Sequence, residues 1–121
     1  MNWKTQPRTA GIYIAAEVLA DLSRENGVLA AGESLQAGTV LGKLTDTGEY
    51  VQFDPAADTG AENATAILYA SKDATDAAQP IVVSARLTAV TGDELIWPDE
   101  IAEPAKEAAI AALAANFVIV R

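Results

Sequence analysis

Residues 35–51 read Leu-Gln-Ala-Gly-Thr-Val-Leu-Gly-Lys-Leu-Thr-Asp-Thr-Gly-Glu-Tyr-Val. Gly38 to Leu44 is a mostly apolar run interrupted at Gly42, and Thr45-Asp46-Thr47-Gly48 supplies turn residues. Glu49 to Phe53 then alternates, with Tyr50 and Gln52 on one face and Val51 and Phe53 on the other. Alternation of this kind marks a strand, and a glycine inside a strand marks a bulge or a close backbone approach. The stretch therefore predicts a β-hairpin. Leu95-Ile96-Trp97-Pro98 predicts a second landmark, a short strand over 94–97 stopped by proline, with its indole packed against the sheet.

Working outward, Ile12 to Leu19 alternates and reads as extended. Asn26-Gly27 predicts a turn over 23–27, followed by a short strand at Val28 to Ala30. Ala64 to Ala70 reads as a buried strand between two polar loops, 54–63 and 71–79. Pro80 to Val90 is the longest strand candidate. Pro104 opens a helix running to about Ala115, because proline fits the first turn and the Ala-rich run after it has high helix propensity. Ile110 and Leu113 share one face of it, and Asn116 is a plausible C-cap. Phe117 to Val120 forms a last strand. The fold class is mainly β with one short C-terminal helix.

A chain of 121 residues fits one domain. Half the residues are hydrophobic but only 6% are aromatic, and alanine is abundant. Burial stabilises in proportion to apolar area, so an Ala-rich core gains less per residue and oligomerisation becomes attractive. Eight basic residues against seventeen acidic ones give a formal charge of −9. Such a surface repels phosphate backbones, which argues against a nucleic-acid partner. Gly11 to Leu22 contains Glu17 and Asp21 and is no apolar signal segment, and no run approaches a membrane span. No membrane partner is expected.

Cysteine and histidine are absent, which removes disulfides, Cys/His zinc sites, thiolate nucleophiles and the usual general base. Asp58-Thr59-Gly60-Ala61 matches the signature of retropepsin-like aspartic proteases, whose chemistry needs two such carboxylates sharing a proton across a dimer. Here Asp54-Pro55-Ala56-Ala57 precedes it in place of a hydrophobic strand, so an Asp/Gly turn is the simpler reading. Gly32 to Gly42 resembles half of a lipoyl- or biotinyl-type carrier. Lys72, the sole candidate for the modified lysine, lacks the flanking residues. Asp73, Thr75 and Asp76 do not space their oxygens as a calcium loop does. Ser34 and Ser84 have no base assigned by any motif. No catalytic residue, metal or cofactor is expected.

Residues 1–20 read as a flexible arm and 21–121 as a single compact domain. The arm holds Trp3, Pro7, Ile12, Tyr13 and Ile14, with no partner strand nearby in sequence. An unpaired semi-apolar strand gains its hydrogen bonds from a partner, so these five are the expected binding residues. Deleting residues 2–14 is accordingly expected to leave the domain folded.

The ordered set Ala37-Gly38-Thr39-Val40-Leu41-Gly42, the Asp/Thr/Gly/Ala-rich centre from Ala57 to Tyr69, Leu95-Ile96-Trp97-Pro98, Lys106 to Ala115 and Phe117 to Val120 resembles the lambdoid phage head decoration proteins. The resemblance spans roughly residues 23–121. It implies a homotrimer of β-clip or β-tulip kind on the exterior of the virion capsid, made in the bacterial host cytoplasm. It also implies that trimers bind the major capsid protein at local three-fold sites of the expanded head. There they would stabilise the shell against DNA pressure without chemistry. An N-terminal arm would order on the shell by strand addition.

The first prediction follows from the small core and the resemblance. Sedimentation equilibrium should give about three times the 12.6 kDa chain mass at capsid-like concentration. A stable dimer contradicts it.

Overall fold

The computed structural model describes residues 10–17 and 20–121. Strands β2 (Arg24–Leu29), β4 (Val40–Lys43), β5 (Tyr50–Gln52), β6 (Ala64–Leu68) and β8 (Gln79–Ser84) close into a barrel in the order β2-β5-β4-β6-β8. Beside it, β1 (Ile14–Glu17), β9 (Thr88–Val90) and β10 (Val118–Val120) form a three-stranded sheet in the order β1-β9-β10. Strands β3 (Glu33–Leu35) and β7 (Lys72–Ala74) make a two-stranded ribbon. A four-residue helical turn, α1 (Ala20–Ser23), precedes β2, and the long helix α2 (Glu103–Ala115) runs into β10. The fold is mainly β with one C-terminal helix, as the sequence implies.

The hairpin is present: β4 and β5 pair antiparallel, Leu41 opposite Gln52 and Lys43 opposite Tyr50. Gly42 is the expected close approach, because a Cβ there would lie 2.6 Å from the Ala61 Cα and carbonyl oxygen. Alternation along β4 and β6 serves two cores. Val40 and Ile67, paired across the strands, face the cluster that also holds Tyr13, Phe53, Val90, Leu113 and Val118. Leu41 and Ala66, the next pair, face the barrel interior with Leu29, Tyr50, Leu68, Ile81 and Val83. Strands buried on both faces read as continuous hydrophobic runs, as Ala66 to Leu68 does. Helix α2 covers the outer cluster through Ala109 and Leu113, one turn apart, and Ile110 lies half-buried beside them.

Several local expectations fail for identifiable reasons. Asn26-Gly27 is no turn but the middle of β2, where Asn26 pairs with Val82 and Gly27 with Ile81. Gly27 is there because a Cβ would meet the Tyr50 ring at 2.6 Å. Pro80 to Val90 is two strands in two sheets, broken where Leu87 takes a left-handed φ of 53°. Ser23 holds that corner, accepting the Ala85 N–H at its carbonyl and donating its hydroxyl to the Leu87 carbonyl at 3.1 Å. The loop at 71–79 contains β7, and Gly92–Glu94 is a 3-10 turn, leaving a single bridge from Ile96 to Thr39.

The boundary set at residue 20 needs correction as well. Residues 14–17 form β1, antiparallel to β9, with Ile14 opposite Val90 and Glu17 opposite Thr88. Tyr13 is fully buried in the outer cluster. The physical reason is long-range pairing: the partner strand exists, but far along the chain, where local sequence does not announce it. Deleting 2–14 therefore removes a core side chain and the first pair of β1, and does not leave the domain intact.

Two substitutions test the two-core arrangement. Leu113→Ala should cost about 2–5 kcal/mol, the usual range for a buried leucine. Gly42→Ala should cost about 1–3 kcal/mol, because the added methyl meets backbone that cannot rotate away. Urea denaturation midpoints measure both, and a neutral Gly42→Ala contradicts the close approach.

Candidate functional site

Each chemical reading can be placed on the fold. Asp58 is exposed, whereas Gly60 is buried at a left-handed φ of 110°. A Cβ on Gly60 would lie 2.3 Å from the Lys43 carbonyl oxygen, and its N–H donates to the Glu62 carboxylate at 2.8 Å. The adjacent Thr59 carbonyl accepts the Thr45 N–H at 2.9 Å. Asp-Thr-Gly here closes a loop onto the end of β4, and the glycine is selected by that contact. Lys72 begins β7, half-buried opposite Leu35, so it does not stand at an exposed hairpin tip. The Asp73 carboxylate accepts from the Thr75 N–H at 3.0 Å and from the Thr75 hydroxyl, which is a local turn motif. Among the described residues no three acidic side chains converge into a set that could hold a metal ion.

Trp97 packs edge-on against Phe53, with ring centroids 6.3 Å apart at 80°, and Lys106 of α2 lies 5.5 Å over the indole. The expected packing against the sheet is present, and it ties the helix to the barrel wall. The indole N–H is buried without a hydrogen-bond partner.

The five residues assigned to an arm divide. Trp3 and Pro7 lie outside the described residues. Ile12 is exposed and Ile14 half-buried. Tyr13 is the innermost: its hydroxyl lies 2.5 Å from Ser84 Oγ, with the Ile67 carbonyl at 3.4 Å. Burial raises its pKa far above the ordinary 10.0, the Ser84 hydrogen bond opposing that only in part. Tyr13 also accepts the Thr91 N–H at its carbonyl, at 2.8 Å. On either side the segment is pinned again. The Gly11 N–H donates to the Tyr69 carbonyl at 2.8 Å. Arg24 forks onto both Glu17 oxygens at 2.9 Å while its guanidinium lies 4.1 Å above the Tyr69 ring. Residues 10–17 thus strap the chain to the body, with Gly11 beside Tyr69.

One feature escaped sequence reasoning. Phe117, in the C′ position after α2, has a left-handed φ of 62° and is 64% exposed. Its N–H donates to the Ala114 carbonyl at 2.9 Å, the bond a glycine usually makes at such a helix end. The signal was available: an aromatic directly follows the Asn116 cap, where glycine is the common residue.

The family model for bacteriophage lambda head decoration protein D matches residues 3–118. The chain belongs to that family. The match runs nearly end to end, so it covers the strap and the segment before it as well as the barrel, the ribbon and α2. Head decoration proteins are structural components of phage heads, and the chain is a phage capsid decoration protein located in the virion. No helix among the described residues is long and apolar enough to cross a membrane. The comparison with curated proteins returned no match.

Two substitutions distinguish scaffold from chemistry. Asp58→Asn should change stability by less than about 0.5 kcal/mol, as for most exposed positions, and should leave shell binding unchanged. Acid-optimal peptide cleavage that depends on Asp58 contradicts this. Tyr13→Phe leaves the buried Ser84 hydroxyl unpaired and should cost about 1–3 kcal/mol. The same variant has a pH signature. Because the folded-state pKa of Tyr13 is raised, the unfolded chain ionises first, so stability is complete below pH 10 and falls as pH rises above it. Tyr50, also raised by burial, adds to that slope. Thermal melts between pH 9 and about 11.5 should show a shallower decline for Tyr13→Phe than for the unsubstituted protein.

Proposed function

We propose that the protein decorates the exterior of the expanded phage head as homotrimers at local three-fold sites. Bound there to the major capsid protein, it holds neighbouring subunits against the outward pressure of packaged DNA. The observation that carries this reading is the family match over residues 3–118, which includes the segment before the strap and not the barrel alone. The physical means is passive. A body with two cores offers a stiff block, and many identical contacts distributed over a shell reinforce it with no reaction.

In this reading the shell-contacting arm is the sequence before Ala10, with Trp3 and Pro7, and Ile12 stands exposed at its root. Tyr13 and Ile14 act indirectly: they fix where the arm leaves the body. Aromatic residues commonly dominate interface energetics, so Trp3 is the first side chain to test. Extended residues add about 3.3 Å each, so nine residues can reach on the order of 30 Å, enough to cross onto a neighbouring subunit.

Co-sedimentation with expanded shells, run beside a thermal melt, tests the division. A variant lacking residues 2–9 should melt as the full chain does and bind shells at least about tenfold more weakly, equivalent to roughly 1.4 kcal/mol. Deleting 2–14 should lower the melting temperature as well. Full-affinity decoration by the 2–9 deletion removes the arm from the mechanism. Failure of the full chain to bind expanded shells at all removes the decoration geometry proposed here.

A further inference from the structure

Of the asparagines Asn2, Asn26, Asn63 and Asn116, only Asn26 is followed by glycine. That pair is chemically labile in any polypeptide. With no side chain on the second residue, its backbone nitrogen can swing onto the asparagine side-chain carbonyl. A β-branched residue would suit a strand and shield the asparagine. Packing excludes it, because a Cβ on Gly27 would lie 2.6 Å from the Tyr50 ring. The barrel therefore carries a reactive dipeptide in the middle of β2, where Asn26 pairs with Val82 and Gly27 with Ile81.

Most of what the reaction needs is already in place. The Asn26 side chain is exposed. It borders an open groove of about 600 Å³ between β2 and the β4-β5 hairpin, shared with Glu25, Lys43 and Glu49, so solvent has free access. On that side β2 pairs with β5 only at Leu29, opposite Tyr50. What the fold withholds is the nucleophile. The Val82 carbonyl accepts the Tyr69 N–H at 3.0 Å, so Val82 turns its backbone polar groups toward β6. Successive residues of an antiparallel strand turn theirs to opposite neighbours. Ile81 therefore faces β2, and Gly27, directly opposite, is its hydrogen-bonded partner. The Gly27 N–H is committed to the Ile81 carbonyl, and the extended backbone holds that nitrogen away from the Asn26 side chain.

We infer that Asn26-Gly27 is a spontaneous deamidation site that the β2–β8 ladder keeps shut in the folded protein. When β2 opens, the Gly27 nitrogen loses its proton to solvent base and attacks Asn26 Cγ. A carbon–nitrogen bond forms, the side-chain carbon–nitrogen bond breaks, and ammonia departs with a proton returned from solvent. Water then opens the cyclic imide at either carbonyl, leaving aspartate or isoaspartate at position 26. Aspartate keeps the backbone as it was. Isoaspartate lengthens it by a carbon in the middle of the ladder that runs from Arg24–Ser84 to Leu29–Gln79. A strand with a displaced register cannot return its apolar side chains to the core face. A copy that stays open long enough is thereby chemically marked and, as isoaspartate, barred from closing again.

The test incubates the full chain at one temperature and one mildly alkaline pH, in native buffer and in guanidinium chloride. Mass spectrometry of the peptide carrying Asn26 reads the exchange of amide for carboxylate, and an isoaspartyl methyltransferase reads the isomer. Asn63, followed by alanine, is the internal reference. Conversion at Asn26 should be at least about tenfold faster in denaturant than in native buffer, and faster than at Asn63. Equal rates in the two solvents, or no conversion in denaturant, overturns the inference. Hydrogen exchange reads the lock itself: the Gly27 amide should be protected in the native chain, and fast exchange there overturns the proposed restraint. After dilution from denaturant, the folded fraction should contain aspartate at position 26 and be depleted of isoaspartate. Isoaspartate present there at its full proportion overturns the claim that the lesion bars closure.

Discussion

The wall formed by β4 and β6 is the constraint on which the rest of the molecule depends. Its paired residues point alternately into two separate clusters, Val40 and Ile67 outward under α2, Leu41 and Ala66 inward to the barrel. The wall must therefore be apolar on both faces and thin enough to let backbone approach backbone, which is what Gly42 against Ala61 provides. An aromatic-poor chain gains from this economy. One pair of strands is buried twice, so small and medium side chains yield two cores where a larger protein would need separate layers.

Much of this was legible because it is written in short-range pattern. The hairpin at 38–53 and the helix after Pro104 depend on neighbours within a few residues, and the glycine within β4 announces a close approach without naming its distant partner, Ala61. What could not be read depends on distant partners. Asn26-Gly27 has the local chemistry of a turn, but the Tyr50 ring needs the space of a missing Cβ, and the demand of packing overrides the turn. Pro80 to Val90 alternates as one strand would, but the corner held by Ser23 divides it between sheets. Tyr13 read as part of a mobile arm because its hydroxyl partner, Ser84, is 71 residues away.

The functional reading divides along the same line. Asp58-Thr59-Gly60 and Lys72 tempted a chemical interpretation through their local motifs, and the structure places each in a loop closure or a strand start. The resemblance lies in the order of several weak elements, none specific alone, and the family match over residues 3–118 supports it. The surface around Phe117 illustrates the converse. Its left-handed φ is hinted at by an aromatic standing directly after the Asn116 cap, but its exposure is not encoded in composition or spacing.

The strap at residues 10–17 has a mechanical consequence. Tension applied to the sequence before Ala10 meets the body beside the end of β6. It loads the Gly11–Tyr69 hydrogen bond first, then the β1–β9 ladder and the buried Tyr13 ring together, with the Arg24–Glu17 fork bracing the far end. Those contacts lie along one short stretch of chain and bear the load as a set, so they yield cooperatively. A protein held by its tail on a pressurised surface would then keep its shape up to a threshold force, and release the strap before the barrel opens.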